Sequence, residues 1–266
     1  MIKKILVKKY EENLRLDKWL KKNFSSLTQS FIEKNLRKKN ILVNKRTAIS
    51  KYKVIVDDEV KILNFNLENY KHYPKVKKKI TIPQNIANQF NSSIIYNDIN
   101  FLVLNKWSGI STQGGSKINL SIDDIIKNQS SSYNLVHRLD KETSGLLIVA
   151  KNLEYTKLFG HLFKNHEIKK VYFAMCQGKP KESESFVNLL IPNKENKEIK
   201  NITHTYFKIL NYKNNISQIL FVPKTGKTHQ LRIVSKNLGC PIIGDKKYNV
   251  QNNFQKEKLK LNAHIL

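Results

Sequence analysis

The chain has 266 residues, a formal charge of +27 and a pI near 9.9, long enough for two domains and basic enough to imply a polyanionic partner, nucleic acid before an anionic membrane surface. No apolar run approaches the roughly 20 residues of a membrane span; Met1-Ile-Lys-Lys-Ile-Leu-Val is too short and charged for a secretory signal, and Glu11, Glu12 and Asp17 argue against a transit peptide. Cys176 and Cys240 lie far apart without metal-like spacing and read as small buried hydrophobes in a reducing compartment, so a cytoplasmic location is expected.

In chain order, residues 14–23 predict a short helix with Leu16, Trp19 and Leu20 on one face. Residues 30–39 predict a second, with Phe31, Ile32 and Leu36 inward and Lys34, Arg37, Lys38 and Lys39 outward. Ile41-Leu-Val-Asn44-Lys45-Arg46 reads as a strand entering a turn, and 54–62 as a strand pair around the acidic turn Asp57-Asp-Glu59. Together they make a compact basic module over 13–65. Residues 66–90, with Pro74, Pro83 and Lys75-Val-Lys-Lys-Lys79, read as a linker. A second domain is expected over 91–266. Its strand candidates are 94–96, 101–105, 146–151, 170–177, 203–210, 217–222 and 230–234. Its helix candidates are 121–129 and 154–164, the latter with Leu158, Phe159, Leu162 and Phe163 as the buried stripe and Asn152 as N-cap. Many strands with few helices predict an α+β fold on a mainly antiparallel mixed sheet.

Lys, Asn and Ile are abundant, a drift toward A/T-rich codons, so part of the +27 needs no binding role. Of 48 basic residues only five are arginine: Arg15, Arg37, Arg46, Arg138 and Arg232. Where lysine is the default cation, a retained arginine points to a place where the planar guanidinium fork matters.

Residues 137–145, His-Arg-Leu-Asp-Lys-Glu-Thr-Ser-Gly, hold Asp140 on a turn between apolar Leu135-Val136 and apolar 146–150. A fixed acid beside an arginine suits nucleophile or general-base work, although a lone Asp after a strand is more often a turn former. Arg138 shares its side only if the segment is extended. In Pro223-Lys-Thr-Gly-Lys-Thr-His-Gln-Leu-Arg232, a phosphate-binding P-loop is excluded, because position 221 is Phe rather than Gly. What remains is a glycine turn feeding a strand that carries His229, Gln230 and Arg232. A buried arginine there needs an anionic partner, for which Asp140 is the natural candidate. Tyr172, at the centre of Ile168-Lys-Lys-Val-Tyr-Phe-Ala, is either a core tyrosine or a ring that stacks on an extruded base. The glycines of Asn105-Lys106-Trp-Ser-Gly109 and Gln113-Gly-Gly-Ser116 allow close backbone approach. The seven histidines form no HxxxH or HxH pair, so no metal is expected, and Ser111 and Ser144 lack a nucleophile-elbow context.

The N-terminal module resembles an S4 RNA-binding domain in Arg15-Leu-Asp-Lys-Trp-Leu20, Ser30-Phe-Ile-Glu33, Arg37-Lys-Lys and Val43-Asn44. That resemblance implies RNA contacts from Arg15, Arg37, Lys38, Lys39, Lys45 and Arg46. The rest resembles the RluA-type pseudouridine synthases in Asn105-Lys106, His137-Arg-Leu-Asp140-Lys-Glu-Thr-Ser-Gly-Leu, Lys170-Val-Tyr172 with Ala174, and Lys224-Thr-Gly-Lys-Thr-His-Gln-Leu-Arg232. Gly114-Gly-Ser116 and the S4-like module point to the RluC-like branch, which acts on large-subunit ribosomal RNA.

The resemblance implies isomerisation of specific uridines in 23S ribosomal RNA by a monomer without metal, nucleotide or other cofactor. Asp140 would be the catalytic aspartate and Tyr172 the ring that stacks on uracil. Arg232 would pair with the carboxylate, and Arg138 would hold RNA with the base flipped out. The chain departs from the family at Trp107, where proline is usual, at Lys227, where arginine is common, and at Asn262, where histidine is usual. The family also continues past the position of Leu266, which implies a shortened catalytic domain or an uncovered sheet edge. The alternatives are a non-catalytic S4-type RNA-binding or ribosome-assembly factor and a synthase directed at transfer RNA.

Overall fold

The computed structural model describes residues 1–71, 81–115, 118–192, 200–249, 254 and 256–266. Pro74, Lys75-Val-Lys-Lys-Lys79 and Ser116 lie outside them. The chain divides into two compact units, Met1–Lys79 and Ile80–Leu266.

In the first unit, β1 (Lys3–Leu6) precedes α1 (Leu16–Asn23), α2 (Gln29–Arg37), β2 (Ile41–Val43), β3 (Arg46–Thr47) and β4 (Glu59–Ile62). The sheet order is β1-β4-β2-β3, all antiparallel. Both predicted helices form. Leu16, Trp19, Leu20 and Ile32, at helical spacing on α1 and α2, are fully buried in one cluster with Ile41 of β2. Thr28 caps α2 by accepting from the Phe31 amide. The Val-Asn turn and the acidic turn meet: Asn44 donates to Asp58 Oδ1 at 2.7 Å and accepts from the Glu59 amide at 2.8 Å. Three expectations change here. The module starts before residue 13, because β1 pairs with β4. Residues 54–58 form a turn rather than a strand. The expected linker contributes to packing: Tyr70 lies in the core beside Phe24 and Phe65, and residues 84–92 are helical.

The second unit opens with that helix, α3 (Gln84–Ser92), followed by β5 (Ile94–Asn97), β6 (Phe101–Lys106), α4 (Ile122–Gln129), β7 (Asn134–Leu135) and β8 (Ser144–Ala150). Then come α5 (Leu153–Lys164), β9 (Val171–Gln177), β10 (Glu184–Pro192), β11 (Lys200–Lys213), β12 (Ile216–Pro223), α6 (Gln230–Asn237) and β13 (Leu261–Ile265). One sheet runs β10-β11-β12-β9-β13-β8-β6-β5, with β7 added on β8. Among the strand pairings of the described residues only β13–β8 is parallel, so the sheet is mixed and mainly antiparallel, and the unit is α+β as predicted.

The last strand is not an edge. β13 lies between β9 and β8, and the ends of the sheet path are β10 and β5. The central position of β8 explains its unbroken apolar run, Leu147–Ala150 being buried on both faces. Gly145 permits the parallel pairing: its φ is +109°, and a Cβ there would sit 2.2 Å from the Ala263 carbonyl oxygen. Asn262, where the resembled family has histidine, donates to Ser144 Oγ at 3.0 Å and ties the same two strands.

The α4 helix begins in a capping box between Ser121 and Asp124 and buries Ile122, Ile125 and Ile126. Asn152 caps α5 by accepting from the Tyr155 amide, as predicted. Of the predicted stripe of α5, Phe159, Leu162 and Phe163 are half-buried, while Leu158 is 45% exposed and Tyr155 joins Phe159 in turning toward Phe101. Residues 230–234 are the start of α6, not a strand. Leu231, Val234 and Ser235 are buried at helical spacing, and the β-branched Ile233-Val234 pair suggested a strand only locally.

Candidate active site

A pocket in the second unit is lined by Arg138, Asp140, Lys170, Tyr172, the 225–229 loop and Arg232. The loop of Arg138 and Asp140, Tyr172 and Arg232, far apart in sequence, therefore reach one place.

The Asp140 loop is held from both sides by the segment after β6. Thr112 Oγ1 donates to the Leu139 carbonyl at 2.7 Å and accepts from its amide at 3.1 Å. The Lys141 carbonyl accepts from the Gly109 amide at 2.9 Å and from Lys106 Nζ at 3.3 Å. Ser108 Oγ donates to the Glu142 carbonyl at 2.7 Å. Leu139 is buried next to Asp140, whose side chain stays 27% exposed toward the pocket. The Asn105–Gly109 segment thus earns its place as the support of the acid loop.

Lys106 is a residue whose part the sequence left open. It is fully buried, and its ammonium also donates to the Trp107 and Ile110 carbonyls. Burial pulls its pKa down to about 8, against the opposing pull of Glu142 and Asp140. His137 is half-buried and neutral: desolvation, helped by Lys170, brings it to about 3, its Nε2 accepts from the Ile148 amide at 2.8 Å, and its ring stacks on Phe163. It is a structural histidine. Tyr172, half-buried, packs against the clusters on both sides of β9, and burial together with the Asp140 charge pushes its phenol up to about 12. Arg138 is exposed and donates to Gln113 Oε1 at 3.3 Å.

The expected ion pair between Arg232 and Asp140 is not formed. Arg232 grips Asp245 with both arms of its fork, Nε to Oδ2 at 2.7 Å and Nη2 to Oδ1 at 2.6 Å. Burial raises the Asp245 carboxyl, but Arg232 and the amides of Tyr248 and Lys247 outweigh it and hold it below the usual range. Arg232 still lies within electrostatic reach of Asp140. The side chain next to Asp140 is His229, with Nε2 3.9 Å from Oδ2. His229 Nδ1 lies 3.1 Å from the Tyr248 hydroxyl. Sequence reasoning missed Asp245 and Tyr248. The need of a buried Arg232 for an acid was legible, but Asp140 answered it first.

The six basic residues expected to bind RNA from the first unit are at its surface. Arg37, Lys38 and Lys39 close α2, and Lys45 and Arg46 sit at the β2–β3 turn. Arg15 is instead engaged bidentately by Asp17. Among the described residues no cluster of His, Cys, Asp and Glu could hold a metal ion, and no helix is long and apolar enough to cross a membrane.

Residues 100–237 match the RNA pseudouridylate synthase family. Ribosomal large subunit pseudouridine synthase C of Rickettsia bellii is 41% identical over 251 residues, 88% of this chain and 82% of that protein. The chain belongs to the RNA pseudouridylate synthases. It is an enzyme that isomerises uridine to pseudouridine in RNA. The synthase is also 33% identical to the enzyme of the same name from Buchnera aphidicola subsp. Baizongia pistaciae, over 96% of this chain and 84% of that one. Its fold matches the human RNA pseudouridylate synthase domain containing 4, with a TM-score of 0.60 at 24% identity over 67% of this chain and 85% of that one. The matched region spans the Asp140 loop, Tyr172 and Arg232.

Proposed function

We propose that this synthase modifies uridines of large-subunit (23S) ribosomal RNA and that Asp140 begins the reaction at the ribose of the target nucleotide. The Rickettsia and Buchnera relatives, named for the ribosomal large subunit, support the substrate. The observation that carries the role of Asp140 is its clamped loop: neighbouring backbone groups fix the acid, while its carboxylate faces a pocket beside Tyr172 and His229.

The reaction breaks the N1–C1′ bond and forms C1′–C5. An ionised carboxylate attacks C1′, or removes the 2′ proton, while the base turns. Tyr172 offers a ring face for the extruded uracil, its phenol kept neutral. Arg232 acts on Asp140 through its field rather than by contact, fixed in place by Asp245. Arg138, exposed at the rim, suits a backbone phosphate or the gap left by the flipped base. The first unit serves as an S4-type RNA-binding module through Arg37, Lys38, Lys39, Lys45 and Arg46, with Arg15 bracing α1. The enzyme works as a monomer in the cytoplasm, where the free, buried Cys176 and Cys240 fit a reducing environment.

Asp140→Asn is the direct test. It is expected to abolish pseudouridine formation on 23S RNA transcripts while leaving RNA affinity within about threefold of the parent (about 0.6 kcal/mol). Retained turnover would remove Asp140 from the mechanism. Pseudouridine mapping of ribosomal and transfer RNA from cells with and without the gene tests the substrate.

A further inference from the structure

Uridine isomerisation has a second half. Pseudouridine carries hydrogen on N1 and none on C5, so a proton must leave C5 once the C1′–C5 bond exists. Around the pocket, most side chains are poor acceptors. Arg138 and Arg232 are permanent cations. The Tyr172 phenol, at about 12, holds its proton at neutral pH. Lys106 is sealed from the pocket, with no exposed surface. Asp140 is committed to the ribose.

Among the amine and imidazole side chains that line the pocket, Lys170, Lys227 and His229, three independent features single out His229. It lines the pocket with Nε2 3.9 Å from Asp140 Oδ2. Its other ring nitrogen is engaged by the Tyr248 hydroxyl at 3.1 Å, and the ring stands edge-on to Tyr248 with centroids 5.7 Å apart. Its backbone is left-handed, φ 56° and ψ 21°, a conformation a non-glycine residue adopts at a cost and retains where the surrounding structure demands it.

We propose that His229 is the general base that removes the C5 proton. The proposal rests on Asp140 acting at the ribose. With Nδ1–H donating to Tyr248, the lone pair of Nε2 faces the reacting uracil. After the C1′–C5 bond forms, C5 is tetrahedral and uracil holds an N1=C6 double bond. Nε2 takes the C5 proton, the C–H pair becomes C5=C6, and the N1=C6 pair moves onto N1. N1 then takes a proton relayed from the imidazolium through solvent, so composition is unchanged.

The groups facing His229 suit this order of events. Burial keeps the ring neutral, Arg232 and Lys247 add to that, and Asp140 and Asp245 oppose it. Whether Asp140 has carried the ribose as an ester or held the 2′ proton, its negative charge returns when the new bond forms. The carboxylate beside Nε2 is therefore restored when the imidazolium appears.

The test is single-turnover reaction of RNA bearing uridine or 5-deuterouridine at the target. Asparagine tolerates left-handed φ, so His229→Asn removes the base with the backbone kept. The expected result is product formation slowed about 100-fold or more, the scale of general-base catalysis. A primary isotope effect should appear, and uridine should still be consumed, with the C5-linked adduct accumulating. Parent-like rates, or slowing without an isotope effect and without the adduct, would overturn the proposal. If His229→Asn is unfolded by circular dichroism, His229→Gly replaces it, and added imidazole must restore the rate; failure of that rescue overturns the proposal equally. Asp140→Asn run alongside separates the two readings, since it should leave uridine unconsumed. If it does not, the reading of Asp140 is what falls.

Discussion

At the level of single residues, the site depends on two buried cations held in different ways. Arg232 is buried against Asp245, which receives both arms of its fork and the amides of Lys247 and Tyr248. Asp245→Ala is expected to cost about 3–5 kcal/mol, because it leaves a buried guanidinium without its counter-charge; urea unfolding of the variant reads it directly. Among the described residues Lys106 has no acid in contact, and it rests on three carbonyls. Its folded pKa of about 8 lies below the roughly 10.4 of an unfolded lysine. Between those values the unfolded chain binds more protons, so stability rises with pH. Below about pH 8 both states are charged and the full penalty, roughly 3 kcal/mol, applies; it fades as pH climbs toward 10. Unfolding measured across that window should show the rise in the parent and a flatter profile in Lys106→Met. The acid at 140 was legible because an apolar run on each side fixes it. The partner of Arg232 was not, because charge demand identifies a need and says nothing about which of several acids the chain path brings near.

Among the elements, α6 does most to shape the pocket, and it was the one read wrongly. Five residues, Gln-Leu-Arg-Ile-Val, fit either period, and the buried positions 231, 234 and 235 decide for the helix only once the sheet beneath is known. Strands β5, β6, β8, β9, β11 and β12 were legible because each carries a run of β-branched and aromatic residues. Strand β10 was missed because one of its faces is open: Phe186 and Leu190 are 62% and 59% exposed, and its pattern is diluted by Asn188 and Ser185. The start of α6 is fastened by Gln230. Its Oε1 accepts from the Lys227 amide and from Thr225 Oγ1, and its Nε2 donates to Thr205 Oγ1 and the His204 carbonyl. Gln230→Leu keeps much of the volume and removes all four bonds. It is expected to cost about 2 kcal/mol and to speed hydrogen exchange at the Lys227 amide; unchanged exchange would mean the 225–229 loop is held by other contacts.

Over the whole molecule, the charge is unevenly spread. Residues 1–79 hold 22 basic against 8 acidic side chains, and the remainder 26 against 13, so under a third of the chain carries half of the +27. Codon drift toward lysine alone would spread the excess more evenly. If the five exposed residues Arg37, Lys38, Lys39, Lys45 and Arg46 contact phosphates, each releases condensed counterions on binding. The logarithm of affinity should then fall against the logarithm of salt by about 0.9 per contact on duplex RNA and about 0.7 on single strands. Replacing all five with glutamine is expected to flatten that slope by about 3.5 to 4.5 and to raise KM steeply at physiological salt. The rate at saturating RNA should hold, since none of the five belongs to the unit with the pocket. An unchanged slope would assign the charge of the first unit to solubility and leave RNA binding to the catalytic unit. A lowered saturating rate would show instead that the first unit helps place the target uridine.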